Sequence, residues 1–155
     1  MKQLLLITIL AFVSPTVFAQ DMDNEKLEKI LYVVSDTLEG QKGNWQFTIN
    51  SLPMLCVTDE KHNRMRIVTP IQKMKDVAYK ELKACMEANF HTALDVKYAI
   101  SDDLLWVVFI HPLKELQKDQ VIDAISQVFN AALTYGESYN STELVFPKSK
   151  KKKTY

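Results

Sequence analysis

Apolar side chains recur at Leu27, Ile30, Leu31, Val34 and Leu38, the spacing of one helix face, and predict a first helix over about 24–39. Asp23 or Asn24 stands where a cap is needed. Glu25 and Glu28 fall in the first turns, where negative charge suits the helix dipole. Gly40 and Gly43 read as the helix end and a loop. The period then changes from 3.6 to 2. Trp45-Gln46-Phe47-Thr48-Ile49 alternates as a half-buried strand does, and residues 50–53 form a turn. Met54 to Thr58 makes a second strand and residues 59–63 a polar hairpin loop. Met65, Ile67 and Thr69 alternate with Arg64, Arg66 and Val68 in a third, which Pro70 is expected to end because it has no N–H to donate.

A second helix is expected from about Ile71 or Lys73 to Asn89, with Met74, Val77, Ala78, Leu82, Cys85 and Met86 on one stripe. Leu94, Val96, Tyr98 and Ile100 then alternate with Asp95, Lys97 and Ala99, and Ser101-Asp102-Asp103 makes a turn. Leu104 to Ile110 is apolar at every position, the pattern of a strand covered on both faces. Val107 and Phe109 belong to one parity, and Trp106, Val108 and Ile110 to the other. A third helix starts near Lys118 or Asp119 and carries Val121, Ile122, Ile125, Val128, Phe129, Ala132 and Leu133 inward before Gly136. The order is α-β-β-β-α-β-β-α: an α+β domain with one antiparallel sheet covered by helices.

The first residues change this picture. Lys2, the apolar run Leu4 to Val13, the break at Ser14-Pro15 and the small Ala19 before Gln20 have the layout of a secretory signal over 1–19. The run is shorter than the roughly 20 apolar residues of a spanning helix, so no integral membrane segment is expected after cleavage. A single domain over 20–147 and a lysine-rich disordered tail over 148–155 remain. Formal charge is balanced, 19 basic against 19 acidic residues, but unevenly placed: Lys2 leaves with the signal and five lysines lie in the last eight positions. The acidic body this leaves argues against a nucleic-acid groove, which needs clustered Lys and Arg to displace counterions.

Candidate chemistry is sparse. His62 falls in a hairpin loop. His91 and His111 fall at element ends, where with Asp95 they could form a polar site at one edge of the sheet. No H-x-x-x-H or H-x-E spacing supports a metal, no glycine-rich elbow surrounds a serine, and Gly40 and Gly43 match no phosphate loop. No cofactor is expected. Cys56 in a strand and Cys85 on an apolar helix stripe read as separate core thiols, although an oxidising compartment permits their pairing. Asn140-Ser141-Thr142 fits a glycosylation sequon, which matters only in a eukaryotic source. The outer parity of the last strand, Trp106, Val108 and Ile110, is the candidate binding surface, to be covered by a partner subunit or a client peptide.

In a domain of this size the element order resembles the type III secretion chaperone-like fold, and within it the YbjN-type bacterial domains. The likeness extends over Asn24 to Phe146. It is most pointed in Asn89-Phe90-His91-Thr92-Ala93-Leu94-Asp95, then Tyr98, Leu105-Trp106 and Phe109-Ile110-His111-Pro112-Leu113. The resemblance implies a small, often dimeric, binding or chaperone-like module with no cofactor and no catalytic residues. Secretion chaperones proper work in the cytoplasm, whereas this chain carries an export signal. The expectation is therefore a non-enzymatic periplasmic binding or chaperone-like module, a homodimer, that recognises a protein or peptide. The alternative is a small periplasmic enzyme using His91, Asp95 and His111.

Overall fold

A computed structural model describes residues 21–144. The signal-like residues 1–19 and the lysine-rich stretch 148–155 lie outside the described residues. Helix α1 (Asn24–Val34) is capped by Asp23, whose carboxylate accepts from the Lys26 N–H at 2.8 Å. It stops five residues before the expected end. Ser35 turns extended, and its N–H and hydroxyl both donate to the Leu31 carbonyl, at 3.0 and 2.7 Å. Leu38 fits the helical spacing but belongs to a strand, β1 (Thr37–Gln41), where it faces Phe47 of β2 (Asn44–Ile49). Gly40 makes that hairpin possible: its φ is +115°, and a Cβ there would meet the Asn44 carbonyl oxygen at 2.3 Å. The expected loop is thus an edge strand, and the order gains one element.

β3 (Leu52–Asp59) follows β2 across a tight turn in which Asn50 and Ser51 both take positive φ, the requirement of a type I′ hairpin. β4 (Arg64–Lys73) does not end at Pro70. It pairs on to Lys73 by shifting register between Pro70 and Gln72, because a bulge absorbs the missing donor. Residues expected to open the second helix are therefore spent on the strand and on a 3-10 turn, Met74–Asp76. Helix α2 (Tyr79–His91) begins where the Glu81 carboxylate accepts from the Ala78 N–H at 2.8 Å. Its buried residues are Cys85 and Ala88, and Met86, about 100° round the helix from Cys85, is 50% exposed and so not on the inward stripe expected for it. Leu94 lies in the turn after it, at φ +50°, and β5 (Lys97–Ser101) starts three residues later. β6 (Leu104–His111) and helix α3 (Lys118–Leu133) complete the fold.

All pairings are antiparallel, in the order β1-β2-β3-β4-β6-β5. The helices lie on one face: α3 over β4 and β6 and against α1, α2 against β5, α1 beside β1. Trp45, Phe47, Met54, Cys56, Met65, Ile67, Leu105 and Val107 are buried from the sheet side against Leu27, Leu31, Val121 and Val128 from the helices. Burial of such side chains is worth roughly 1.5–3 kcal/mol each, and it fixes which parity of every strand points inward. At the β5 edge one residue, Tyr98, is engaged by a side chain. The Asn89 amide accepts from the Tyr98 N–H at 2.7 Å and donates to the Tyr98 carbonyl at 3.1 Å, standing in for a neighbouring strand.

Candidate functional site

The other face of the sheet carries no helix among the described residues. Leu105, Val107 and Phe109 point into the core, so the expectation that β6 is covered on both faces is corrected. Trp106 and Val108 are half-buried and Ile110 is 58% exposed. Apolarity on both parities arises here because the outer row is left without a second layer, not because a layer sits on it.

The register extends these three residues into a surface. Val108 pairs with Val68, Val68 with Leu55, Leu55 with Gln46 and Gln46 with Glu39, while on its other side Val108 pairs with Lys97. One row thus crosses all six strands, apolar in the middle and charged at its ends. A parallel row runs Asn44–Val57–Arg66–Ile110. Pro70 pairs with Trp106 and Pro53 with Thr48 on the far side. Trp106 stands at the junction of two hollows. One, of about 350 Å³, is walled by Gln46, Thr48, Pro53, Leu55 and Pro70. The other, of about 320 Å³, is walled by Arg66, Val68, Ala99, Val108 and Ile110. The indole is pinned, since its Nε1–H donates to the Ser101 carbonyl at 3.1 Å. A fixed aromatic between two shallow apolar hollows suits side chains of an extended segment laid across the strands.

Leu55, Val57, Val68, Pro53 and Pro70 were not among the sequence candidates. Their signal was present: Leu55 and Val57 make the expected second strand apolar on both parities, as in β6.

The polar trio does not come together. His91 ends α2, its ring edge-on to Phe90 at 4.9 Å, and its Nδ1 is buried with no hydrogen-bond partner among the described residues. The Asp95 carboxylate accepts from the Gln127 side chain at 3.1 Å, and the Asp95 N–H donates to the same amide at 3.2 Å. His111 stacks on Phe109 and its Nδ1 lies 2.8 Å from the Pro112 carbonyl. Each is engaged with a different neighbour, and no hydrogen bond or ion pair links any two of them among the described residues. No group of three His, Cys, Asp or Glu side chains among the described residues is arranged to hold a metal. Both cysteines are buried and free, and burial pushes the Cys56 thiol up to about 12 and the Cys85 thiol up to about 11, far from nucleophilic use.

No protein-family model matches the sequence, and no curated protein matches it. Solved structures do match in fold. The Yersinia pestis type III secretion chaperone SycH, crystallised with a stable fragment of YscM2, superposes with a TM-score of 0.56 at 12% identity over 73% of this chain and 98% of that one. The HopA1–SchA chaperone–effector complex contains a chain that superposes with a TM-score of 0.54 at 12% identity, over 70% of this chain and 92% of that one. The fold is that of the type III secretion chaperones. At this identity the likeness concerns architecture alone. No helix among the described residues is long and apolar enough to cross a membrane.

Proposed function

We propose that this protein is a non-enzymatic, chaperone-like binding module that holds an apolar protein segment in extended form on the open sheet face. The observation that carries the reading is the apolar surface around Trp106, in a sheet whose β5 edge is engaged at Tyr98 by the Asn89 side chain. The cap at Tyr98 supports contact by the face over strand addition at β5. The structural neighbours support it in kind: one was crystallised with a protein fragment and the other as a chaperone–effector complex.

Three finer features belong to the same proposal. The layout of residues 1–19 supports export to the periplasm, and protein recovered there should begin at Gln20; intact Met1 in the membrane fraction would refute this. The run from Asn89 to Asp95 supports a place among YbjN-type domains. The apolar surface left open supports association with a second copy as well as with a client.

The deciding variant is Val108→Asp. Val108 lies in the centre of the face and not in the core, so the variant should keep its circular dichroism spectrum and lose retention on an array of extended apolar peptides. Undiminished retention by a folded Val108→Asp protein would overturn the proposal.

A further inference from the structure

Between the start of α1 and the loop that leads into α3 lies a hollow of about 830 Å³, within the size range of small-molecule sites. In a body that is otherwise acidic, its lining is basic. Lys26 and Lys29 come from α1, and Lys114 and Lys118 from the loop and the first turn of α3. Against these four stand two acids, Asp21 and Glu115, so the lining has a surplus of two positive charges.

The two α3-side cations are left unspent. Lys26 pairs with Asp23 at 3.5 Å and Lys29 with Glu25 at 2.9 Å, whereas among the described residues Lys114 and Lys118 have no ion-pair partner. Glu115 is taken up elsewhere: its two carboxylate oxygens accept from the Asn63 side-chain amide at 3.1 and 3.0 Å. The same Asn63 accepts from the Lys114 N–H at 2.8 Å, and the Lys114 carbonyl accepts from the Met22 N–H at 3.1 Å. The loop is thus held from two sides, and its one acid is occupied beside two free ammonium groups.

The floor of the hollow is apolar. Met22, Ile30 and Leu116 line it, and all three belong to the core. Lysines lay their alkyl stems along such a floor and keep the charged heads in water. Val33 is one turn on from Lys29 and Ile30 on the same face of α1, and it is 73% exposed. Free positive charge at one end and apolar surface leading away from it call for a ligand with the complementary two ends.

We propose that this hollow binds a single-chain amphiphilic anion. Its head group meets Lys114 and Lys118, and its alkyl chain lies over Met22, Ile30 and Leu116 toward Val33. The site is built from the helix layer and goes beyond the client reading, which concerns the opposite face of the sheet. Charge and shape select this occupant. A bare inorganic anion leaves the floor uncovered, and a neutral amphiphile leaves the two ammonium groups unused. Residues 1–20 of the chain carry Lys2 as their sole charged side chain, the wrong sign for this rim.

Isothermal titration calorimetry of the whole protein with dodecyl phosphate, below its micellar concentration, tests the proposal. Wild type should bind it, and inorganic phosphate and dodecyl maltoside should bind at least tenfold more weakly. Octyl phosphate should also lose at least tenfold, because fewer methylenes are buried. The double variant Lys114→Ala/Lys118→Ala should lose about tenfold, and added salt should weaken the wild type. Both lysines are exposed, so the variant should keep its circular dichroism spectrum. Val33→Ser, which leaves every charge in place, should weaken binding several-fold. Undiminished binding by the folded lysine variant overturns the proposal, as does equal binding of dodecyl maltoside. Binding of anionic phospholipid vesicles or of an acidic peptide, with none of dodecyl phosphate, overturns it too. Val108→Asp separates this site from the client face. Loss of dodecyl phosphate binding in that variant places the alkyl chain on the open face and sinks this site alone. Loss of peptide retention without loss of dodecyl phosphate binding supports both readings. Undiminished peptide retention by that variant sinks the client reading alone.

Discussion

Val107 and Val108 are adjacent, identical in chemistry and part of one strand, yet one is fully buried and the other looks outward. The two faces of the sheet differ in the same way throughout. Trp45 is 1% exposed, its Nε1–H reaching the Glu28 carboxylate at 3.1 Å, whereas Trp106 lies half-buried on the opposite face with its Nε1–H turned to its own hairpin. Cys56 and Val57 of β3, two strands from β6, repeat the contrast. Apolarity therefore marks two distinct demands. On the helix side it satisfies the core; on the open side it is surface whose burial is still available to a partner.

The largest effect should come from exchanging the two valines for aspartate. Val107→Asp places an isolated charge where no water or partner reaches, and the domain should lose its cooperative melt altogether. Val108→Asp, one residue away, should melt within a few degrees of the wild type. A Val108→Asp protein that unfolds like Val107→Asp would mean that the outer face is core, and the comparison would collapse. The tryptophans give the same contrast at smaller cost. Trp45→Ala should lose about 3–5 kcal/mol in chemical denaturation, the usual cost of a buried aromatic. Trp106→Ala should stay within about 1 kcal/mol while weakening whatever binds the face.

How far the sequence carried this picture depends on the element. β2, β3, β6 and α3 were readable because their apolar periods are clean and their flanks hold Pro, Asn or paired aspartates. β1 was not, because Leu38 satisfies helical spacing as well as strand spacing; the decision is made by the Ser35 turn and by Gly40, whose φ only the hairpin requires. The second helix was read too long because Pro70 signals a strand end only where no bulge takes up its missing N–H. Trp106, Val108 and Ile110 were legible as a surface in need of cover. The apolar outer parity of β3 was visible at Leu55 and Val57, but its place beside Trp106 and Val108 depends on the β4–β6 register, which pairs Val68 with Val108 across 40 positions and which no local pattern reveals. His91, Asp95 and His111 illustrate the converse: nearness of element ends in a diagram does not bring side chains together.

The core face also holds protons tightly, which gives an alkaline test. Burial raises the Cys56 thiol from 9.0 to about 12 and the Cys85 thiol from 9.0 to about 11, and it raises the Tyr98 hydroxyl as well. A group whose folded pKa lies above its unfolded value binds its proton more tightly in the native state. Its contribution is complete below the unfolded pKa and is lost as pH rises toward the folded one. Between about pH 9 and 11 stability should therefore fall by about 1.4 kcal/mol per pH unit for each thiol. Denaturant melts across that range should show it, and Cys56→Ala should remove one thiol's share of the slope. At pH 8 both thiols should resist a disulfide-exchange reagent until the chain unfolds. Rapid labelling of native protein would show that the helix-side face opens far more readily than its packing implies.

The smallest effect belongs to the open side. Asp59 ends the outer parity of β3, and its carboxylate accepts from His62 through the ring Nδ1–H at 2.6 Å and through the backbone N–H at 3.0 Å. The imidazole hydrogen bond, then the backbone one, holds the Asp59 carboxyl below its ordinary value. The sign is opposite to that of the thiols. A depressed carboxyl pKa favours the fold above the unfolded carboxylate range, and the benefit disappears as pH falls through the depressed value. Both side chains are exposed, so screening by water and salt leaves little of this in stability. His62→Ala should therefore move the Asp59 carboxyl upward in a carbon-detected NMR titration while leaving the melting temperature at neutral pH unchanged. If His62→Ala instead shifts that melt by more than a few degrees, the hairpin tip is coupled to the core. The open face could then no longer be treated as surface whose residues change without cost to the fold.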